Sequence, residues 1–191
     1  MAADPIDQFS DWFEQAQDDV PLPEAMTLAT VDADGEPNAR MVLLKGADEQ
    51  GFRFFSNYES IKGAELEANP AAALVIYWRE LDRQVRVRGQ TRRLPDADSD
   101  AYFATRARDS RIAASVSPQS RPVEREELER RYEQASAELE GAAVPRPRNW
   151  GGYLLEPREI EFWQGREGRM HDRFRYRRTE RGGWKIERLA P

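Results

Sequence analysis

Apolar residues recur at helical spacing at the start of the chain, then in alternation or short runs through most of the remainder. Ile6, Phe9, Trp12, Phe13 and Ala16 share one face of a 3.6-residue period. Asp4 suits an N-cap and Pro5 a first helical position, so residues 1–20 predict a helix, closed by Pro21 and Pro23. From Met26 the period shortens. Residues 26–31 predict a strand, Asp32-Ala33-Asp34-Gly35 a tight turn, and 38–45 a second strand. A turn from Asp48 to Gly51 leads to a third strand ending at Ser56, and Ser60 to Asn69 predicts a short helix stopped by Pro70.

Two more strands come next, 73–78 and 84–91. In the second, Val85, Val87 and Gly89 alternate with Arg86, Arg88 and Gln90, the pattern of a sheet with one wet face. Residues 96–116 read as helical pieces, and 124–140 as a charged helix with Leu128, Tyr132, Ala135 and Leu139 along one side. The Pro-rich run 145–147 is a linker, since too little chain lies beyond it for a separate core. Strands near 152–163 and 173–178, a Gly182-Gly183 turn and a last strand to Leu189 complete the chain. Seven or so strands in hairpin order imply a mainly β, α+β architecture: one antiparallel barrel domain over 1–191 with peripheral helices. Residues 150–191 supply the strands that close the site. Turns this short exclude the crossovers of a doubly wound parallel sheet.

Composition narrows the chemistry. Without cysteine there is no thiol nucleophile, cysteine zinc site, iron–sulfur cluster or disulfide, and the single histidine excludes multi-histidine metal sites. No metal is expected. A net charge of −6 argues against nucleic acid, and no apolar run is long enough for a membrane span, so a cytoplasmic location is expected. Charge is unevenly spread, with no Lys or Arg in residues 1–39 and a basic stretch from Arg166 to Arg188. Only Lys45, Lys62 and Lys185 of the 29 cations are lysine, which marks them in an arginine-biased chain.

No G-x-S-x-G elbow or glycine-rich phosphate loop occurs, so a bound phosphate would be held by side chains. Arg40 and Lys45 stand at the two ends of the second strand, and Lys62 starts a helix. Tyr102, Arg106 and Ser110 are spaced to share a helix face, a set suited to a phosphate monoester. His171, with Arg169 and Arg173 two residues to either side, would share a strand face with both, a setting for an anionic ligand. Trp163 reads by itself as core or barrel rim.

Several segments in register carry a resemblance. They are Arg40-Met41-Val42-Leu43-Leu44-Lys45, Phe54-Phe55-Ser56-Asn57, Arg83-Gln84-Val85, Arg106-Ala107-Arg108-Asp109-Ser110, Gln119-Ser120, Phe162-Trp163-Gln164-Gly165 and Arg169-Met170-His171-Asp172-Arg173. From about Asp4 to Pro191 the chain resembles the pyridoxine/pyridoxamine 5′-phosphate oxidase family. The resemblance implies an FMN-binding split barrel, a homodimer with FMN at the subunit interface, and oxidation of pyridoxamine or pyridoxine 5′-phosphate to pyridoxal 5′-phosphate. Dioxygen would be reduced to hydrogen peroxide, in vitamin B6 salvage or biosynthesis.

By the same resemblance, the cofactor contacts are Arg40, Met41, Val42, Leu43, Leu44, Lys45, Phe55, Ser56, Lys62, Gln84, Gln119, Ser120, Trp163 and Arg173. Lys45, Tyr102, Arg106 and Ser110 match the substrate-phosphate set, and Arg169 and His171 the catalytic pair against the pyridine ring. Three departures stand out. Ile61 replaces a second arginine for the FMN phosphate, Ser115 replaces a tryptophan with Arg111 and Ala113 also altered, and the longer N-terminal arm of some relatives is missing. The alternatives are another split-barrel flavin oxidoreductase, acting on a phenazine precursor or deazaflavin-linked, and a non-catalytic FMN or pyridoxal-phosphate carrier.

Overall fold

A computed structural model describes residues 1–191. Helix α1 (Pro5–Asp19) begins where expected: the Asp4 carboxylate accepts the Ile6 N–H at 2.7 Å. The chain continues through β1 (Ala25–Val31), β2 (Pro37–Leu43), β3 (Gly46–Asp48), β4 (Gly51–Asn57), α2 (Ile61–Ala68), β5 (Ala71–Trp78) and β6 (Arg83–Arg93). Helices α3 (Asp96–Thr105), α4 (Arg108–Val116) and α5 (Arg125–Glu138) precede β7 (Trp150–Gln164), β8 (Asp172–Arg178) and β9 (Trp184–Arg188). No helix is long and apolar enough to cross a membrane.

All strand pairs are antiparallel, in the order β2-β1-β5-β6-β7-β4-β3, with β8 on β7 and β9 on β8. This is the expected mainly β architecture, a split barrel with helices around it. There are nine strands instead of seven or so: β2 stops two residues short of the strand expected over 38–45, and a short β3 forms at 46–48, leading into the expected turn. Strand β2 ends at Leu43. The Leu44 N–H then bonds to the Glu24 carbonyl at 2.8 Å, and the Lys45 N–H to the Arg53 carbonyl at 2.8 Å. The backbone therefore passes from the β1 side of the sheet to the β4 side within two residues. Lys45 stands at this seam rather than at a strand end.

The long strand β7 changes partners along its length. Residues 150–155 pair with β4, and 159–164 pair with β8, while β6 runs along the other edge. Alternation on β6 is as read from the sequence: Val85 and Val87 are buried, Arg86 and Arg88 exposed. Inside the barrel, Met26, Leu28, Phe52, Phe54, Leu74, Ile76 and Val87 are fully buried. Helix α1 plugs one end, with Phe9 edge-on to Phe52 at 5.0 Å and Trp12 edge-on to Phe162 at 5.3 Å.

A smaller core of Phe103, Ile112, Val144 and Trp150 lies under α5, whose Tyr132 and Ala135 pack on it together with Leu139 at the helix C-cap. This core explains why 96–116 is two helices. Phe103 and Ile112 are nine residues apart, about 180° on an unbroken helix, so burying both requires a break. The break falls at Arg106 and Ala107, both with extended ψ. The expected single helix face for Tyr102, Arg106 and Ser110 is corrected accordingly: Tyr102 is on α3, Arg106 caps it, and Ser110 is on α4.

Candidate active site

Strand β2 pairs only with β1, so its outer edge is free, and Met41 and Leu43 are 62% and 40% exposed there. Facing this edge is a cleft of about 590 Å³ lined by Met41, Val42, Leu43, Lys45, Phe55, Ser56, Asn57, Lys62, Tyr102, Arg106, Ser110, Ala113, Ala114, Ser117, Gln119 and Trp150. Three lining side chains are cations and none is a carboxylate, in a chain whose net charge is −6. That polarity fits an anion and disfavours a cation.

The break between α3 and α4 leaves Tyr102, Arg106 and Ser110 on one wall despite their different elements. Tyr102 stacks on Phe55 at 3.9 Å, and Phe55 on Trp150 at 5.5 Å. The Arg106 guanidinium lies 4.7 Å from the centre of the Trp150 ring, and its buried Nη1 has no hydrogen-bond partner. A buried N–H left unpaired is destabilising by about 1–3 kcal/mol, which an anion in the cleft would relieve. Burial pulls the Arg106 pKa down, with Tyr102 opposing, and pushes the Tyr102 phenol up, so that Tyr102 is a neutral donor.

On the opposite wall, Ser60 caps α2 by accepting the Gly63 N–H, which aims Lys62 inward. The buried Lys62 Nζ donates to Ser60 Oγ and to Gln119 Oε1, both at 3.1 Å, leaving one of its three N–H groups free. Burial first, then the Arg40 charge, lowers the Lys62 pKa, and Glu65 partly opposes this. Ser56 Oγ also reaches Gln119 Oε1, at 3.4 Å.

Arg40 is mid-strand on β2 and does not line the cleft. Its Nη2 bonds to Glu65 Oε2 at 2.7 Å, and its Nη1 bonds to Thr30 Oγ1 and to the Leu28 carbonyl. Glu65 also accepts from Thr30 Oγ1 at 2.6 Å and Asn38 Nδ2 at 2.7 Å. Sequence reasoning missed Glu65, as it missed Asn57, Ser117 and Trp150 on the cleft wall. The only available signal for Glu65 was a carboxylate one helical turn beyond Lys62.

The remaining candidates stand elsewhere. Leu44 is buried in the barrel core, and Ser120 comes after Gln119 with a left-handed φ of 70°. Gln84 on β6 pairs with Trp163 on β7, which pairs with Arg173 on β8. Arg173 Nε donates to the buried Glu161 at 2.8 Å. His171 lies 4.7 Å from Trp163. The strand face expected for Arg169, His171 and Arg173 is not formed. Gly168 and Arg169 are both left-handed, with φ of 63° and 60°, so Arg169 sits in a tight turn and β8 starts only at Asp172. None of Gln84, Trp163, Arg169, His171 and Arg173 lines the cleft of the same chain.

Residues 13–164 match the family model described as pyridoxamine 5′-phosphate oxidase, and 150–191 the model of the pyridoxine 5′-phosphate oxidase C-terminal dimerisation region. Over 191 residues the chain is 56% identical to the pyridoxine/pyridoxamine 5′-phosphate oxidase of Bordetella petrii, covering 100% of this chain and 90% of that one. Against the protein of the same name from Nostoc punctiforme, identity is 54%, with 98% and 88% covered. Among solved structures, PhzG from Burkholderia lata 383, in complex with tetrahydrophenazine-1-carboxylic acid, superposes with a TM-score of 0.94 at 33% identity, covering 100% of this chain and 94% of that one.

Proposed function

The chain belongs to the pyridoxamine 5′-phosphate oxidase family, and from that premise we propose that it is an FMN-dependent oxidase of pyridoxamine or pyridoxine 5′-phosphate, acting as a homodimer. The substrate gives up two electrons and two protons, a hydride equivalent from C4′ and a proton from the attached oxygen or nitrogen, and dioxygen takes up both to become hydrogen peroxide. With the amine, water is also consumed and ammonia released. The observation that carries this reading is the cleft with Lys45, Lys62 and Arg106, no carboxylate and an unpaired Arg106 Nη1.

Those residues fit two phosphates. Lys62 with its remaining N–H, Ser56 and Gln119 would hold the FMN phosphate, with the free backbone edge of Met41 to Leu43 along the ring. Lys45, Tyr102, Arg106 and Ser110 would hold the vitamer phosphate. Bound flavin supplies the hydride acceptor and the link to dioxygen. The protein's share is orientation: four ligands on a phosphate remote from C4′ convert binding energy into alignment of the reacting carbon. Phe55, Tyr102 and Trp150 present a stacked aromatic wall on one side of the cleft. Gln84, Trp163, Arg169, His171 and Arg173 would act on the site of the other subunit, Arg169 and His171 against the pyridine ring.

The likeness to PhzG favours a second reading, a tricyclic carboxylate as substrate. One experiment separates the two. On the oxidase reading, purified protein is expected to be yellow and to release peroxide with pyridoxamine 5′-phosphate, with phosphate-free pyridoxamine a poor substrate. Arg106→Ala raises KM for the phosphorylated vitamer by about 10- to 100-fold, the worth of a charged hydrogen bond, and changes turnover of free pyridoxamine little. Equal harm to both substrates makes the α3–α4 wall structural and withdraws the vitamer assignment.

A further inference from the structure

The turn between β7 and β8 is built around the only imidazole in the protein. The Arg166 backbone N–H donates to His171 Nδ1 at 3.1 Å. The Arg166 side chain folds over the same turn, its Nε donating to Asp172 Oδ2 at 2.8 Å, while Arg188 Nη1 from the end of β9 donates to Asp172 Oδ1 at 2.7 Å. These two guanidinium groups hold the Asp172 carboxyl below its ordinary pKa. Asp172, next to the imidazole in the chain, is thus tied to Arg166, the residue that carries the N–H donor. Trp163 limits the ring from one side, 4.7 Å away at an interplanar angle of 42°.

A ring nitrogen that accepts a backbone N–H must present its lone pair, so the proton of the neutral imidazole sits on the other nitrogen. We propose that Arg166 and Asp172 are positioning residues that hold His171 in its Nε2–H tautomer, so that it meets the substrate as a hydrogen-bond donor and not as a base. Neutral His171 has no lone pair at Nε2 to take a proton. Protonation at Nδ1 would instead break the bond from Arg166. The imidazole therefore steadies an acceptor atom on the substrate ring, and its Nε2 is not the acceptor of a proton from the substrate. The donor role toward substrate rests on the oxidase reading; the tautomer does not.

Because His171 is the sole histidine, ring-¹⁵N-labelled protein gives one pair of imidazole nitrogen signals with no assignment problem. Spectra of the purified protein with its bound cofactor are recorded above the titration range of histidine and compared with the same chain unfolded in urea. The folded protein shows a protonated Nε2 and an unprotonated Nδ1, in a tautomer ratio well beyond that of the unfolded chain. Asp172→Ala and Arg166→Ala move the ratio back toward the unfolded value, with the flavin still bound. A folded ratio equal to the unfolded one, a dominant Nδ1–H form, or variants that leave the ratio unmoved would overturn the proposal.

Kinetics tests the donor role. Glutamine can donate from the Nε2 position but cannot act as a base there, so His171→Gln recovers about tenfold in kcat/KM over His171→Leu, the worth of one hydrogen bond. Equal loss in both variants restores the base and removes the donor. A protein that never oxidises the vitamer overturns the oxidase reading instead, while the nitrogen signals still decide the tautomer.

Discussion

Glu65 shows how far one buried side chain can organise a site it does not line. Its side chain is 6% exposed, and its oxygens are met by Thr30, Asn38 and Arg40. Burial alone would raise its pKa, but the hydrogen bonds from Thr30 and Asn38 and the Arg40 charge outweigh it and hold the carboxyl below its usual value. A folded-state pKa below the unfolded one adds stability above the unfolded value of 4.5, lost as pH falls through the lower folded value. Glu65→Gln removes that titration and leaves Arg40 without its anion. The variant is expected to be less stable at pH 7 by about 3–5 kcal/mol, the cost of breaking a buried pair, and the gap to the parent should narrow in acid. Urea unfolding at neutral pH and near pH 3 checks this; an unchanged gap would mean that Glu65 is not the ionised partner of Arg40.

At the scale of the element, α2 places Lys62 through a close approach rather than through helix propensity. Gly63 is next to Lys62, and a Cβ there would run into the carbonyl groups of Tyr58 and Asn57. Those groups are backbone and cannot swing aside, so the first turn of α2 would have to lift. Gly63→Ala is expected to destabilise the fold by about 1–3 kcal/mol and to weaken flavin binding as Lys62 shifts with the turn. Thermal melting and flavin fluorescence together test this, and a variant with unchanged melting and affinity would show that α2 has room to move. The helix itself was legible from Ser60 and Pro70, because capping and termination are local. The contact that makes glycine necessary was not, since it depends on how the 57–60 turn folds back.

The whole molecule raises a question of completeness, because the candidate residues divide into two sets. Lys45, Phe55, Ser56, Lys62, Tyr102, Arg106, Ser110 and Gln119 gather in one cleft. Gln84, Trp163, Arg169, His171 and Arg173 belong to the β6–β8 region and line no part of it. The open edge of β2, the 72% exposed Met170 and the match to a C-terminal dimerisation region suit a second copy that brings the two sets together. Sedimentation is therefore expected to show a dimer, and removing residues 166–191 to abolish both dimer and flavin. A monomer with full flavin occupancy would contradict the shared site.

By itself the sequence determined the elements that rest on neighbours: the Asp4 cap, the alternation on β6, the hairpin order that makes the sheet antiparallel, and the register of motifs carrying the resemblance. Each depends on contacts within a few residues or on a repeating period. Tertiary structure alone decided the rest. The strand expected over 38–45 stops at Leu43 because Leu44 and Lys45 take hydrogen-bond partners on the β1 and β4 sides in turn. The 96–116 segment breaks because Phe103 and Ile112 must reach one core. Glu65 and Trp150 matter because chain segments distant in sequence converge on them. A periodic pattern reports which face of an element is buried; only the packed fold reports what that face is buried against.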